Sequence, residues 1–381
     1  MSMPIGEFTA RAGRLACLCA PSTRIADRAT SRHVMRLAAG FALAVLSQVL
    51  AVGTLPLAGA FIAPQPWMAT LPYAAMLVGA TVATFPASFL MDAFGRRAAF
   101  ALGASLGIAG GLMVAWALMH HQFVPLLLGA FWLGIANGFG LFYRHAAASV
   151  AGPADRHAAI AAVFGAGALI GIVAPTIAGF AEGLAAPSLF VGTALAAAGA
   201  QLGAFALALT LPASSADTMD EEPATAAATD WQAVAGATFA GVVAWLVMTL
   251  LMAAAPLAMA GCGLSPGLIF AGVSWHTVAM YAPALLTATL AEKFPPPLIA
   301  LGGLGLIALG VPVFALADEA VAFTVALTLL GAGWSVAVAG TTFWLHENGP
   351  PSRVVLALHD GAVLLAALVG AVLAGQVAVG G

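Results

Sequence analysis

The chain has 381 residues, of which 62% are hydrophobic and only 7% are charged, and its formal net charge at pH 7 is −3. A soluble protein of this length carries roughly a quarter charged residues. The composition therefore excludes an ordinary soluble domain, and the slightly negative charge is not typical of a nucleic-acid-binding protein. The sequence indicates an all-α protein whose surroundings are a lipid bilayer.

Long apolar runs recur along the whole sequence. Each is long enough to cross a hydrocarbon core of roughly 30 Å at about 1.5 Å per residue. No twelfth run is expected before the sequence ends at Gly381. The runs predict eleven membrane-spanning helices, at about 36–62, 68–91, 97–119, 122–143, 157–180, 185–211, 232–258, 266–290, 297–317, 320–345 and 353–378.

The twelve basic residues all fall on one side of these predicted helices. Because Lys and Arg concentrate in cytoplasmic loops, the pattern predicts a multi-pass protein of the bacterial inner membrane with a cytoplasmic N-terminus. The basic residues are Arg11, Arg14, Arg24, Arg28, Arg32, Arg36, Arg96, Arg97, Arg144, Arg156, Lys293 and Arg353.

An acidic segment rich in Ala and Thr separates the first six predicted helices from the last five. It lacks apolar periodicity and predicts a cytoplasmic linker. Two related bundles around a central linker are typical of secondary transporters. The predicted organisation is an N-terminal cytoplasmic segment at 1–35, a six-helix bundle at 36–211, the linker at 212–231 and a five-helix bundle at 232–381.

The loop after the second predicted helix carries Asp92, Gly95, Arg96 and Arg97, with Ser88 four residues before the aspartate. This pattern resembles the G-x-x-x-D-x-x-G-R-[RK] motif of the major facilitator superfamily, with Ser88 in place of the first glycine. The resemblance implies two pseudo-symmetric helical bundles and a gating role for the four matching residues. No enzyme motif occurs in a suitable context, so neither catalysis nor a prosthetic group is predicted.

Two neighbouring predicted helices carry soft metal ligands. Met248, Met252 and Met259 lie within about 40° on one helix face, and His276 and Met280 share a face of the next helix. Thioether and neutral imidazole groups suit Cu(I) and bring no anionic charge. Met248 and His276 both fall near the expected membrane midplane. The alternatives are that the methionines fill gaps in the core and that His276 makes a structural hydrogen bond.

The stretch 248–282 is similar to the CcoA-type copper importers of proteobacteria, whose MxxxM and HxxxM motifs occupy these helices. The resemblance implies copper as the transported substrate, with Met248, Met252, His276 and Met280 as its ligands. It also implies a supply of copper for assembly of cbb3-type cytochrome c oxidase, with a cytoplasmic copper chaperone as a candidate partner. The same group includes riboflavin-transporter-like members, so a small organic cargo is the alternative.

An organic cargo would need aromatic residues around its site, and Trp245, Trp275 and Trp334 are available for this. Further candidate copper ligands are Met259 and Cys262 near the periplasmic end of the pathway. Others are Cys17, Cys19, His120 and His121. An incidental cysteine pair in the N-terminal segment and a polar helix end at the two histidines are the alternative interpretations.

Asp360 is the clearest acidic residue inside a predicted membrane-spanning helix, and it follows His359. An ionisable group at such a position indicates either proton coupling or a structural hydrogen bond to a neighbouring helix. Gln48, Asn137 and Gln201 are uncharged polar residues within predicted spans. Such residues more often join helices than bind substrate.

Overall fold

The computed structural model describes residues 23–65, 68–152, 154–212 and 230–380. Throughout these ranges the chain forms α-helices and short connections, and no strand occurs in them. The predicted all-α class is confirmed. Residues 1–22 and 213–229, which include most of the predicted N-terminal segment and most of the predicted linker, lie outside the described residues.

Twelve helices follow one another in the described ranges, and we call those before residue 212 the first half and those after residue 230 the second half. The first half contains α1 (Thr23–Ile62), α2 (Leu71–Met119), α3 (Phe123–Val150), α4 (Arg156–Gly165), α5 (Ala168–Ala185) and α6 (Val191–Leu209). The second half contains α7 (Trp231–Gly261), α8 (Pro266–Tyr281), α9 (Ala284–Ala291), α10 (Pro296–Ala315), α11 (Ala320–Leu345) and α12 (Arg353–Gly380).

Nine helices of the described ranges are long and apolar enough to cross a membrane. The longest, α2, has 49 residues, or roughly 74 Å at about 1.5 Å per residue, which is more than twice the hydrocarbon thickness. Gly95 interrupts this helix with φ 77° and ψ 167°. This conformation suits glycine, and it separates the two predicted spans 68–91 and 97–119.

The predicted span 266–290 is divided between α8 and α9, which have 16 and 8 residues. Pro283 lies between them and has no backbone N–H for a helical hydrogen bond. Neither piece alone reaches the length that a spanning helix needs. Because α2 covers two predicted spans and span 266–290 is divided, the described ranges contain nine helices of spanning length where eleven spans were predicted. The number eleven stays a prediction.

Within the first half, α2 and α3 pack with their backbones in close contact. A Cβ added at Gly134 would overlap the carbonyl oxygen of Met76, and one added at Gly79 would overlap the carbonyl oxygen of Phe131. Small residues of this kind let membrane helices approach closely, and van der Waals packing then stabilises the pair. The interface therefore requires glycine at both positions.

The two halves meet through three main pairs of helices: α2 with α12, α5 with α8, and α4 with α9. Gly171 of α5 lies against Val278 of α8, and Gly361 of α12 lies against Thr84 of α2. Helices from both halves therefore surround the centre of the molecule.

The structure places Arg144 inside a helix, whereas the sequence predicted a position in a loop. The apolar run appeared to end at residue 143, but α3 continues to Val150 and Arg144 is only 2% exposed. A basic residue interrupts an apolar pattern without ending the helix when an acidic partner neutralises its charge. That partner belongs to the other half of the molecule.

We predict that Gly134→Ala destabilises the protein by about 1–3 kcal/mol, because the new methyl group must displace the backbone of α2. The matched control is Gly199→Ala, since a Cβ at that helical position meets no atom within 4 Å. Thermal unfolding of the detergent-solubilised variants measures the difference. Equal melting temperatures for the two variants would contradict the close packing of α2 on α3.

Candidate functional site

A small cavity lies between the two halves. Its volume is about 30 Å³. Its wall is made by side chains of α1, α2, α3, α7 and α12, and every lining residue is uncharged. They are Gln48, Met76, Leu77, Ala80, Asn137, Leu141, Trp245 and Leu364.

The amide side chains of Gln48 and Asn137 give this cavity hydrogen-bond donors and acceptors, although their sequence context favoured a role in joining helices. Trp245 adds an aromatic surface from the second half. A site of apolar walls with a few polar groups and an aromatic ring is typical of pockets for small organic molecules. A volume of 30 Å³ holds only one or two water molecules, so the cavity as it stands is too small for such a ligand.

Trp245 belongs to an aromatic cluster that continues away from the cavity. Its ring lies edge-on to Trp334, with centroids 5.0 Å apart and an interplanar angle of 78°. Trp334 also contacts Tyr281 at 6.0 Å and Phe164 of the first half at 5.6 Å. These offset and edge-to-face contacts favour a fixed orientation of the Trp245 ring. The third predicted tryptophan, Trp275, is 61% exposed on the outside of the bundle.

A buried polar network joins the halves about one helical turn from the cavity-lining residues Leu141 and Leu364. Arg144 donates a hydrogen bond to Asp360 Oδ1 at 2.5 Å, and both side chains are at least 98% buried. His145 Nε2 lies 3.3 Å from Asp360 Oδ2, and its Nδ1 lies 2.9 Å from Nε2 of His346. Asp360 is thus held by two residues of α3, and the predicted hydrogen bond to a neighbouring helix is present.

A second set of contacts between the halves lies at the edge where α4 and α12 begin, at Arg156 and Arg353, and where Lys293 follows α9. We call this the basic edge. Arg156 donates to the backbone oxygen of His346 at 2.7 Å. Arg353 lies 3.7 Å from Asp92 and 5.3 Å from the centre of the Phe89 ring. Together with the buried network, these contacts close the molecule at this edge.

The predicted gating motif lies at the basic edge. Asp92 is exposed and makes the ion pair with Arg353 of the second half, and Gly95 provides the break in α2. Arg96 is half-buried and Arg97 is exposed. The gating role of these four residues stays a prediction.

The four predicted copper ligands all lie in the second half. Met248 and Met280 are buried in the hydrophobic core, and Met252 packs against that core. His276 is 1% exposed and its Nδ1 lies 2.7 Å from the backbone oxygen of Leu327. Its Nε2 is buried and has no hydrogen-bond partner among the described residues. The imidazole therefore makes the predicted structural hydrogen bond and keeps one free nitrogen.

Met259, one of the additional candidates, packs against the helix that carries His276. It is fully buried, and its Cε and Sδ would lie 3.3 and 3.8 Å from a Cβ at Gly272, one helical turn before His276. Cys262 is a free, exposed thiol. Among the described residues no group of three or more carboxylate, imidazole or thiol side chains is arranged to hold a metal ion.

The remaining predicted copper ligands either contact other side chains or lie outside the described residues. His120 stacks on Trp116 and its Nδ1 lies 2.8 Å from the backbone oxygen of that residue. His121 packs against Phe61. The two rings therefore contact different partners. Cys17 and Cys19 lie outside the described residues.

Sequence reasoning missed the pairing of His145 and His346 and the burial of Arg144. The one available signal was the adjacent Arg144 and His145 within a continuous helical pattern, two titratable residues where a loop was expected. Their partners are 201 and 216 positions away in the sequence, so no local pattern connects them.

The two bundles, the closed basic edge and the central cavity define a multi-pass membrane transporter of the alternating-access class. The chain is 30% identical over 333 residues to the riboflavin transporter RfnT of Brucella anthropi, a match that covers 85% of this chain and 83% of the relative. It is also 28% identical over 335 residues to the MFS-type transporter YddS of Bacillus subtilis (strain 168), covering 81% and 76%.

The fold is similar to that of the major facilitator superfamily transporter FucP in its outward conformation, with a TM-score of 0.63, 16% identity and coverage of 89% of both chains. No family model matches the sequence. On the strength of these relatives, the chain belongs to the major facilitator superfamily, and it is a transporter rather than an enzyme.

We predict that removing one partner of the buried ion pair costs about 3–5 kcal/mol of stability, because the other charge is left unpaired. Arg144→Met and Asp360→Leu should each show this loss, and the double variant should lose much less than their sum. Chemical unfolding in detergent measures the four states of the cycle.

The control for that cycle is Asp92→Asn, which breaks an ion pair whose side chains are 48% and 58% exposed. A solvent-exposed pair contributes about 1 kcal/mol or less. Additive losses in the double variant, or losses as small as that of Asp92→Asn, would show that Arg144 and Asp360 do not act as a buried pair.

Proposed function

We propose that this transporter imports a small, flat organic molecule of the riboflavin class across the bacterial inner membrane. The observation that carries the proposal is the central cavity, where two amide side chains and the Trp245 indole converge from both halves. The expected orientation places the basic edge on the cytoplasmic side. The cavity is then closed toward the cytoplasm by the contacts that join Arg144, Arg156 and Arg353 to the other half.

The chemistry of the cavity suits a flavin better than a charged solute. A flavin ring has a flat aromatic face for stacking on an indole, and its edge carries hydrogen-bond donors and acceptors that match Gln48 and Asn137. Its ribityl chain is neutral, and every side chain of the cavity wall is uncharged. The relative RfnT is a riboflavin transporter, which supports the same class of cargo.

Substitution of Trp245 tests whether the cavity binds the cargo. In a riboflavin-auxotrophic bacterium without its own importer, we predict that the parent chain supports uptake of labelled riboflavin. Trp245→Ala should lower uptake roughly tenfold, the loss expected for about 1.4 kcal/mol of aromatic contact. Trp245→Phe should retain most of it.

The matched control is Trp275→Ala, because Trp275 is 61% exposed on the outside of the bundle and touches no part of the cavity wall. All variants are compared at equal amounts in the membrane. A parent chain that is present but takes up no riboflavin would contradict the proposed cargo. Equal uptake by Trp245→Ala and Trp275→Ala would contradict the proposed site.

Copper(I) is a second candidate cargo, and one specific observation favours it. The buried Nε2 of His276 has no hydrogen-bond partner in the described part of the chain, and the Met259 thioether lies beside Gly272, one helical turn before His276. A neutral imidazole with nearby thioethers is a ligand set that suits Cu(I). This set lies in the second half and does not line the central cavity.

Parallel uptake assays with labelled copper and labelled riboflavin distinguish the two cargoes. If copper is transported, His276→Ala and Met248→Ala should abolish copper uptake, because each removes a proposed ligand, and should leave riboflavin uptake within about twofold of the parent. Trp275→Ala, next to His276 but on the outside of the bundle, should affect neither. Absence of copper uptake by a well-expressed parent would eliminate this candidate.

A further inference from the structure

The Arg144 side chain has more hydrogen-bond donors than its contacts with the protein use. Its Nη2 donates to Asp360 Oδ1, but its Nε and Nη1 are buried and have no hydrogen-bond partner among the described residues. These two atoms carry three N–H groups. Buried donors of a charged group are unfavourable when they are unpaired, because nothing compensates for their lost hydration. The unpaired donors therefore suit a ligand that brings its own hydrogen-bond acceptors.

The position of Arg144 on α3 continues the helix face that lines the central cavity. Asn137 and Leu141 line the cavity, and Arg144 follows them at spacings of four and three residues. At 100° per residue the three positions lie within about 60° of one another. Long side chains in helices usually extend back over the preceding turn. From Arg144 this direction leads toward Leu141 and thus toward the cavity.

Asp360 has a similar relation to the cavity on α12, in the other half of the molecule. Leu364 lines the cavity and follows Asp360 by four residues, so the two share a helix face. The ion pair therefore lies about one helical turn from the cavity wall on both helices. In the expected orientation α3 runs toward the cytoplasm. A cargo that enters the cavity from the periplasm would then meet Arg144 at its cytoplasmic end.

We propose that Arg144 is a cargo-binding residue, and that its unpaired N–H groups donate hydrogen bonds to carbonyl oxygens on the edge of the cargo's ring. This inference rests on the proposed transport of a riboflavin-class molecule and assigns the recognition of its polar edge to one residue. The contact forms in a conformation whose cavity is wider than the present 30 Å³. Trp245 then stacks on the face of the ring while Arg144 binds its edge.

The charge of the ion pair favours a neutral carbonyl group over an anionic one. Asp360 already neutralises Arg144, and its second oxygen lies 3.3 Å from Nε2 of His145. A carboxylate or phosphate of the cargo beside this pair would add an uncompensated negative charge in an apolar interior. A carbonyl oxygen accepts the N–H groups without changing the net charge. The flavin ring carries two such carbonyl groups on its pyrimidine edge.

Arg144→Lys tests this role while it keeps the ion pair. Lysine retains the positive charge that Asp360 needs, but it lacks the planar guanidinium and its Nε–H donor. Binding of riboflavin to the purified protein is measured by the quenching of flavin fluorescence. We expect Arg144→Lys to weaken binding at least about tenfold, as is usual when a hydrogen bond from a charged donor is lost. Its melting temperature without riboflavin should stay near that of the parent.

Arg36→Lys is the matched control, because Arg36 is exposed and donates to the backbone oxygen of Thr210 at 2.8 Å, away from the cavity wall. The same exchange of residue types should leave riboflavin affinity within about twofold of the parent. If Arg144→Lys binds riboflavin as tightly as Arg36→Lys does, Arg144 is no cargo-binding residue and the inference is overturned.

A second measurement separates direct recognition from a structural role. In 2-thioriboflavin and 4-thioriboflavin, sulfur replaces one carbonyl oxygen of the ring and is a weaker hydrogen-bond acceptor. The parent should bind at least one of these analogues about tenfold more weakly than riboflavin, whereas Arg144→Lys should bind riboflavin and both analogues within about twofold of one another. The loss of discrimination is expected because the donor that distinguishes oxygen from sulfur is gone.

The outcomes distinguish this inference from the proposed function on which it rests. If Arg144→Lys weakens all three ligands equally and keeps the discrimination of the parent, Arg144 acts only through the structure, and the inference alone is overturned. If the parent binds riboflavin without discriminating against either analogue, the inference alone is again overturned. If the parent binds no riboflavin, the proposed cargo is overturned, and the inference with it.

Discussion

The ion pair between Arg144 and Asp360 is the interaction on which the arrangement of the two halves depends. Two opposite charges with almost no exposure to solvent are stable only together, since either one alone in an apolar interior costs several kcal/mol. The pair links α3 to α12 through side chains, and the contact of His145 with His346 lies beside it. The same two halves also meet along α2 and α12, α5 and α8, and α4 and α9, and the central cavity lies between them.

The central cavity and the ionic network between the halves differ in physical character. The cavity offers neutral amides and an indole, whereas the network is built from charged and titratable groups. The ionic network lies toward the basic edge, where a change of charge alters the contact between halves. The two sites share helices α3 and α12 but use different residues of them.

The sequence predicted the features that depend on composition and on local periodicity. Helical spacing placed Met248 and Met259 on one face, and both are buried in the core. Apolar run lengths predicted an all-helical membrane protein. Composition and local periodicity could not predict the contacts between halves. Arg144 and Asp360 are 216 positions apart, and only the folded chain shows that they meet. Arg144 was assigned to a loop for the same reason, since its buried partner was invisible in the local pattern.

The glycine-mediated packing of α2 on α3 has a mechanical consequence. Backbones that touch at Gly79 and Gly134 leave no side-chain layer that could shear or be compressed. Movement of this part of α2 therefore carries α3 with it, because neither backbone can slide past the other without steric overlap.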